Sequence, residues 1–595
     1  MAGTWQSLNQ QPPVAVDTML LLTDGSIMCH SYESPNWYRL VPDAYSDYAN
    51  GAWHAVTPMP ANAPTGQNGP ADAPLYYASA VLRDGRVFVA GGEYNGGSQV
   101  DLRAAEIYDP VSDSWTNVPT PPGWSNIGDA PTCVLPDGRI LIGNINTTET
   151  AILDPRTKTW TSGGAKHDAS SEETYTLLPD GTILVAEVDA HPKAEKYLIA
   201  SGQWVSAGST PPGHDLVLNV SGVSIEIGPA ILMPDGRVFC AGASGHTALY
   251  TPPLNPTHAG SWAPGPDFPL DSHGNLMRAF DAPACLLPNG KVLCVAGQVI
   301  TSGGDAGWAG EPSSFFEFDG LTLVPVAGPA SAASVPTYNC RMLLLPTGQV
   351  LFSTCTGTLE MYSPDGSPLT SWRPEITNVP HELARGHSFK LLGRQLNGLS
   401  QAVSYGDDAQ MATNYPLVRL RGTAGVGTFY CRTFDHETMA VATGHEIVHT
   451  HFEVAASLPL GEYELTVIAN GIASHPVRVR VHHEEPVRHR EREEREAREG
   501  RAEREERFER IRSGRSEDGE LRERIEHLGE RLDRIELVGS VTKLAERLEH
   551  IEKLESIERA YGRDAGKRSG IETSEHENGE RGSRPPRSEM PKARR

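Results

Sequence analysis

No stretch of this chain approaches the run of about 18 apolar residues that a membrane-spanning helix needs. The opening MAGTWQSLNQQPP lacks a basic segment followed by an apolar run, so no secretory leader is expected either. The expected location is therefore cytoplasmic, with secretion by another route left open. GxGxxG, phosphate-loop and G-x-S-x-G patterns are missing. The eight cysteines, Cys29, Cys133, Cys240, Cys285, Cys294, Cys340, Cys355 and Cys431, form no CxxC pair. The first five lie in or beside expected strands, where small apolar residues belong, so reduced core thiols are expected. Basic charge is short as well. From His483 to the end, 28 Lys and Arg face 30 Asp and Glu, which leaves 23 against 45, about −22, for residues 1–482. A body this acidic is a poor partner for a phosphate backbone, so no nucleic acid is expected, whereas cationic partners or neutral sugars are tolerated.

What the sequence does hold is a repeat. In Leu75 to Thr116 an apolar segment (Ala78 to Leu82) meets a tight turn at Asp84-Gly85, and a second apolar run (Val87 to Ala90) ends in Gly91-Gly92. That reads as a β-hairpin. AAEIYDP (Ala104 to Pro110) and a strand around Trp115 follow, so one unit supplies about four short antiparallel strands, the size of a propeller blade. Matching turns fall at Asp24-Gly25, Asp137-Gly138, Asp180-Gly181, Asp235-Gly236, Asn289-Gly290 and Thr347-Gly348, at intervals of 60, 53, 43, 55, 54 and 58 residues. Seven turns predict seven blades over residues 1–371, because a closed ring buries both faces of each sheet. GTWQSL (Gly3 to Leu8) is expected to pair with the last blade and lock the ring.

Positions seven to nine residues before each turn should enter the inner strand from the ring axis. They include Tyr76, Asp129, Ile227, Asp281 and Tyr338.

The inner strand TYNCRMLLLPTGQVL, the repeats before it and the sheet domain after it resemble the galactose oxidase and glyoxal oxidase family of copper radical oxidases. The resemblance covers roughly residues 15–482. It implies a seven-bladed Kelch-type propeller followed by an immunoglobulin-like early-set domain. It also implies one axial copper held by two tyrosines and two histidines, one tyrosine being crosslinked to a cysteine. The family's axial tyrosine corresponds to Tyr338, but its next residue, a histidine there, is Asn339 here. The second histidine, in SYGDDAQM, is Gln410. The crosslinking cysteine aligns with Tyr76 and its partner tyrosine near Asp129. Imidazole suits Cu(II) and an amide does so poorly, so this chain is expected to lack the copper-radical chemistry. What remains is a polar set, Tyr76, Asp129, Asp281, Tyr338, Asn339 and Gln410, with donors and acceptors suited to hydroxyl-rich ligands or, alternatively, to satisfying neighbouring blades and channel waters.

Residues 372–482, ending in YELTV and VRVRV alternation, read as an immunoglobulin-like antiparallel sandwich. Within it His445-Glu446-Ile447-Val448-His449 fits H-E-x-x-H. The pattern makes a zinc site only on a helix, and Gly444 with two β-branched residues predicts extended chain, on which the histidines stand about 13 Å apart. His436, His449 and His451 remain as strand histidines or an adventitious metal site.

From His483 the composition changes to EEPVRHREREEREAREG, a charged helical or disordered linker over 483–520. Leu521, Ile525, Leu528, Leu532 and Ile535, then Val541, Leu544, Leu548, Ile551, Leu554, Ile557 and Tyr561, mark an α-helical coiled coil over 521–561. Residues 562–595 are expected to be a disordered tail. The combined expectation is an all-β chain that recognises a glycan or protein ligand without catalysis and without a cofactor, self-associating through Leu521–Tyr561. The alternatives are a copper radical oxidase of alcohols or aldehydes built on Tyr338, and a structural component of a larger assembly.

Overall fold

The computed structural model describes residues 3–60, 72–218, 224–300, 307–405, 411–423 and 425–483. The expected linker, coiled coil and tail lie outside the described residues, and so does Gln410.

The turns organise the strands. At each of the seven expected turns the glycine (Gly25, Gly85, Gly138, Gly181, Gly236, Gly290, Gly348) takes a left-handed φ between 78° and 88°, where an L side chain is strained. Its N–H donates to the carbonyl three residues back, as from Gly85 to Leu82 at 2.9 Å. In six of the turns the preceding Asp or Asn accepts from the N–H after the glycine, as Asp84 does from Arg86 (3.2 Å) and Asn289 from Lys291 (3.0 Å).

Each turn joins the first two strands of an antiparallel sheet. The first sheet is Val16–Leu21, Ile27–Ser31, Trp37–Val41 and Ala52–Val56, and the second is Ala78–Val81, Val87–Ala90, Ala105–Asp109 and Ser114–Val118. Five more follow in chain order, with first strands Thr132–Val134, Thr176–Leu177, Ala230–Leu232, Pro283–Leu286 and Arg341–Leu344. Thr4–Ser7 completes the last of these by pairing antiparallel with Leu359–Ser363, Trp5 opposite Tyr362. First strands of neighbouring sheets pack together, and that of the seventh packs against that of the first, so the succession closes on itself. Six of the seven second strands, such as Val87–Ala90 and Ile183–Ala186, are buried along their whole length, and Val292–Val299 is buried except at Gln298 and Val299, because both faces of each sheet meet a neighbour. The fold is all-β and propeller-like. Among the described residues helix occurs only as short 3-10 turns, including Thr337–Asn339. All eight cysteines are reduced, and only Cys355 is not fully buried.

Residues 375–482 build two further sheets. Leu391, Val448 and Phe452 of one meet Val418, Leu465 and Val479 of the other across an apolar core. His445 lies in a turn and His449 in the strand Ile447–Glu453, so no helix carries the H-E-x-x-H spacing and the two histidines are not gathered as metal ligands. His436 is buried with its ring stacked on Tyr415 and Nδ1 2.8 Å from Thr450 Oγ1, while His449 pairs with Glu437. These histidines are not gathered with His451 around a common point.

One segment crosses the expected boundary at Trp372. Val403–Tyr405 leaves the sandwich and pairs antiparallel with Pro283–Cys285, giving the sixth sheet a fifth strand. Just before it, Gln401 accepts from the Leu177 N–H at 2.8 Å and donates to Cys133 Sγ at 3.7 Å. Ala402 accepts from the Leu286 N–H at 2.7 Å. A strand from late in the chain is thereby fastened to the first strands of the third, fourth and sixth sheets.

Candidate functional site

Immediately ahead of the first strands the chain places Tyr76, Asp129, Glu172, Glu226, Asp281 and Tyr338. Tyr76, Glu172 and Asp281 adopt left-handed φ values of 52°, 56° and 37°. Such backbone is costly for non-glycine residues and is retained where surrounding structure fixes it. All but Asp129 are half-buried, so each keeps an edge toward solvent.

Arg341 is a buried cation that contacts Tyr76 and Tyr338 of this group. It is 1% exposed, and its guanidinium lies 3.6 Å over the Tyr405 ring and 5.6 Å from the centre of the Tyr76 ring. Nη1 donates to the carbonyls of Tyr338 (2.6 Å) and Cys340 (3.0 Å), and the Tyr405 hydroxyl donates to the same Tyr338 carbonyl at 2.8 Å. Burial holds the Tyr76 phenol well above the ordinary tyrosine range, against the pull of Arg341, and Cys355, Tyr32 and Asp281 add to the rise. Tyr76 is thus a neutral donor at physiological pH. Its ring meets that of Tyr94 edge-on at 6.2 Å. The Tyr94 phenol is pushed up to about 12, first by burial and then by Glu93, with Asp129 contributing.

Glu172, Glu226 and Asp281 each bring a carboxylate oxygen within 4.8 Å of the other two. Burial raises Glu226, while hydrogen bonds from Ser224 (3.0 Å) and with Asp281 oppose the rise. A hydrogen bond between two carboxyl groups requires one proton between them. Glu93 is pushed up to about 7 by burial and then by Glu226, and it accepts from Gln99 at 2.9 Å. Near neutral pH the cluster therefore offers both carboxyl donors and carboxylate acceptors, beside neutral phenols.

The Tyr76 ring lies 5.6 Å from the Arg341 guanidinium and feels the charge of Asp281, Tyr94 feels that of Asp129, and Tyr338 is tied in through its carbonyl. Asn339 ends the 3-10 turn, its N–H on the Pro336 carbonyl at 3.2 Å. Ile227 is a correction: its side chain is buried in the apolar core, and its neighbour Glu226 joins the cluster instead. Glu172 was within reach of the sequence, since it lies eight residues before Asp180 just as Tyr76 lies eight before Asp84. Arg341 and Tyr405 carry no comparable signal. The first reads as one polar residue in an apolar strand, and the second arrives from the sandwich.

The copper of the resembled family would ask for imidazole ligands, and the groups gathered here among the described residues include none. The gathered ligating groups are carboxylates, with phenols held protonated, and Asn339 supplies an amide where imidazole would be needed. Oxygen donors of this kind suit hard cations and polar organic groups and suit Cu(II) poorly.

No curated protein matches this chain. Among solved structures it is similar to a fungal alcohol oxidase of the AA5 family in complex with copper, at 15% identity and TM-score 0.45 over 81% of this chain and 100% of that one. It is also similar to virginiamycin B lyase from Staphylococcus aureus, at 9% identity and TM-score 0.40 over 61% of this chain and 100% of that one. Residues 74–122 match the Kelch motif.

Proposed function

We propose that this protein is a non-catalytic receptor for hydroxyl-rich ligands, a glycan bearing neutral or amino sugars, bound at the carboxyl and phenol cluster ahead of the first strands. In this reading the seven sheets are the blades of one propeller, and residues 372–482 are an immunoglobulin-like module that contributes Tyr405. The observation that carries the reading is the meeting of Glu172, Glu226 and Asp281 within 4.8 Å, with Asp281 in the electrostatic field of Tyr76. Carboxylates accept from sugar hydroxyls or an ammonium group, protonated carboxyls and phenols donate, and tyrosine rings pack on sugar faces. The acidic body adds long-range attraction for an amino sugar. Self-association through Leu521–Tyr561 would multiply weak sites into avidity.

The test is a glycan array probed with the full chain and with Glu226→Gln and Asp281→Asn variants. Binding to neutral or amino glycans that falls at least tenfold in both variants is the expected result. A blank array, or binding untouched by both substitutions, would overturn the proposal, and a protein partner retained by the full chain in its place would move the function to the rim of the propeller.

A further inference from the structure

Three places among the described residues bring three metal-ligating groups together. The first is the carboxyl cluster already described. In the second, Asp168, Glu173 and Glu187, the Lys166 ammonium is buried against Glu173 and lies 3.1 Å from Glu187, so a cation is already built in. The third has imidazoles: His214, His246 and Asp267.

From that third cluster we infer a binding site for a divalent transition ion of the zinc type, held by His214, His246 and Asp267. Asp267 Oδ1 lies 2.8 Å from His246 Nδ1 and 3.5 Å from His214 Nδ1. An ion with bonds of about 2.0–2.1 Å to nitrogen and oxygen sets its tetrahedral ligands about 3.3–3.5 Å apart, so small side-chain rotations bring these three to bonding positions. His214 Nδ1 is buried and has no hydrogen-bond partner among the described residues, the state of a ligand nitrogen awaiting an ion. The imidazole rings stand 5.2 Å apart.

Three loops at one end of the fifth sheet carry the ligands, and backbone bonds fix all three. His214 N–H closes a turn on the Pro211 carbonyl at 2.9 Å, the Gly242 N–H bonds the His246 carbonyl at 3.1 Å, and the Phe268 N–H after Asp267 bonds the Gly245 carbonyl at 3.0 Å. Ser244 joins two of them. Its hydroxyl donates to the Asp215 carbonyl at 2.6 Å and accepts from the His246 N–H at 3.1 Å. The side chains of His214, His246 and Asp267 are 24%, 26% and 39% exposed, which leaves one side open for a water or ligand in the fourth position. A cleft of about 600 Å³ adjoins the loop that carries His214, walled by Pro192, Ser209–Gly213, Asp215 and Trp262.

The experiment loads the full chain with Zn(II), removes loose metal by desalting, and measures metal per chain by elemental analysis beside a Co(II) absorption spectrum. The unmodified protein, His214→Ala, His246→Ala, Asp267→Asn and the control His449→Ala are compared. The expected result is about one metal per chain with intense visible Co(II) bands, lost in the three ligand variants and kept in His449→Ala. Asp267→Asn changes only a half-exposed carboxylate, so it decides the matter if a histidine variant does not fold. Equal zinc in the unmodified protein and Asp267→Asn, or no retained metal in the unmodified protein, would overturn the site.

Discussion

The Arg341 guanidinium lies 3.6 Å over the ring of Tyr405, and both donate to the carbonyl of Tyr338. This relationship joins the seventh sheet, the added strand from the sandwich, and the candidate site. Arg341→Met keeps the bulk but removes two charge-assisted hydrogen bonds and the cation–π contact. It should cost about 2–4 kcal/mol in denaturant unfolding. Tyr405→Phe leaves the Tyr338 carbonyl still served by Arg341 and should cost about 1 kcal/mol. Equal losses from the two would show that the hydroxyl, and not the cation, holds the joint.

Stability should fall as pH rises through neutral, because Glu106 sits buried beside Asp72 with its carboxyl pushed far up, by burial first and then by Asp72. In the unfolded chain that carboxyl ionises from about 4.5 upward, so the unfolded state holds fewer protons than the folded one over this range. The group alone contributes a loss of up to about 1.4 kcal/mol per pH unit. Glu106→Gln mimics the protonated form, so its unfolding midpoint should decline less between pH 5 and pH 9. Parallel declines would show Glu106 ionised in the fold. His436 works in the opposite direction. Burial pushes it down to about 3, so its contribution is lost as pH falls from 6.5 toward that value.

Much of the fold is legible in the chain because its information is local. A tight turn with glycine in second place between two apolar runs needs only the residues within it, and all seven such turns, five of them Asp-Gly, form hairpins with glycine in the left-handed region. The pairing of Thr4–Ser7 with Leu359–Ser363 was readable because GTWQSL repeats the pattern of the outer strands GAWHAV and DSWTNV. The candidate site was only half legible. Counting from the turns finds Tyr76 and Asp281 but slips by one at Ile227, since the stretch before a strand has no fixed length. Tyr405 reaches the site only because its strand pairs with Pro283–Cys285 far back in the chain, a long-range pairing that periodicity does not encode.

Trp5 should be the residue through which the N-terminal strand closes the succession of sheets. Its ring packs against Phe315, Phe352 and Tyr362 at 5.0–5.5 Å, and Nε1 donates to the Ala327 carbonyl at 2.7 Å. Because the ring is half-buried, Trp5→Ala should destabilise by about 2–3 kcal/mol, less than a fully buried tryptophan. Thermal unfolding of this variant should also show faster hydrogen exchange along Leu359–Ser363. Unchanged exchange there would mean that the strand is not what closes the seventh sheet.

Two turn glycines with nearly the same backbone separate conformational strain from packing. Gly236 and Gly290 have φ values of 86° and 88°, but a Cβ on Gly236 would meet nothing within 4 Å, whereas one on Gly290 would come within 2.5 Å of the Trp372 ring. Gly236→Ala should cost about 1 kcal/mol, the left-handed penalty alone. Gly290→Ala adds a clash with the side chain that stands where the ring hands over to the sandwich, so its cost should be larger by about 1–3 kcal/mol. The excess should vanish in a Trp372→Ala background, where the methyl group has room. If instead the two alanine variants lose equal stability in the unmodified background, the Trp372 ring moves aside at little cost and the contact at Gly290 does not fix the joint between the propeller-like ring and the sandwich.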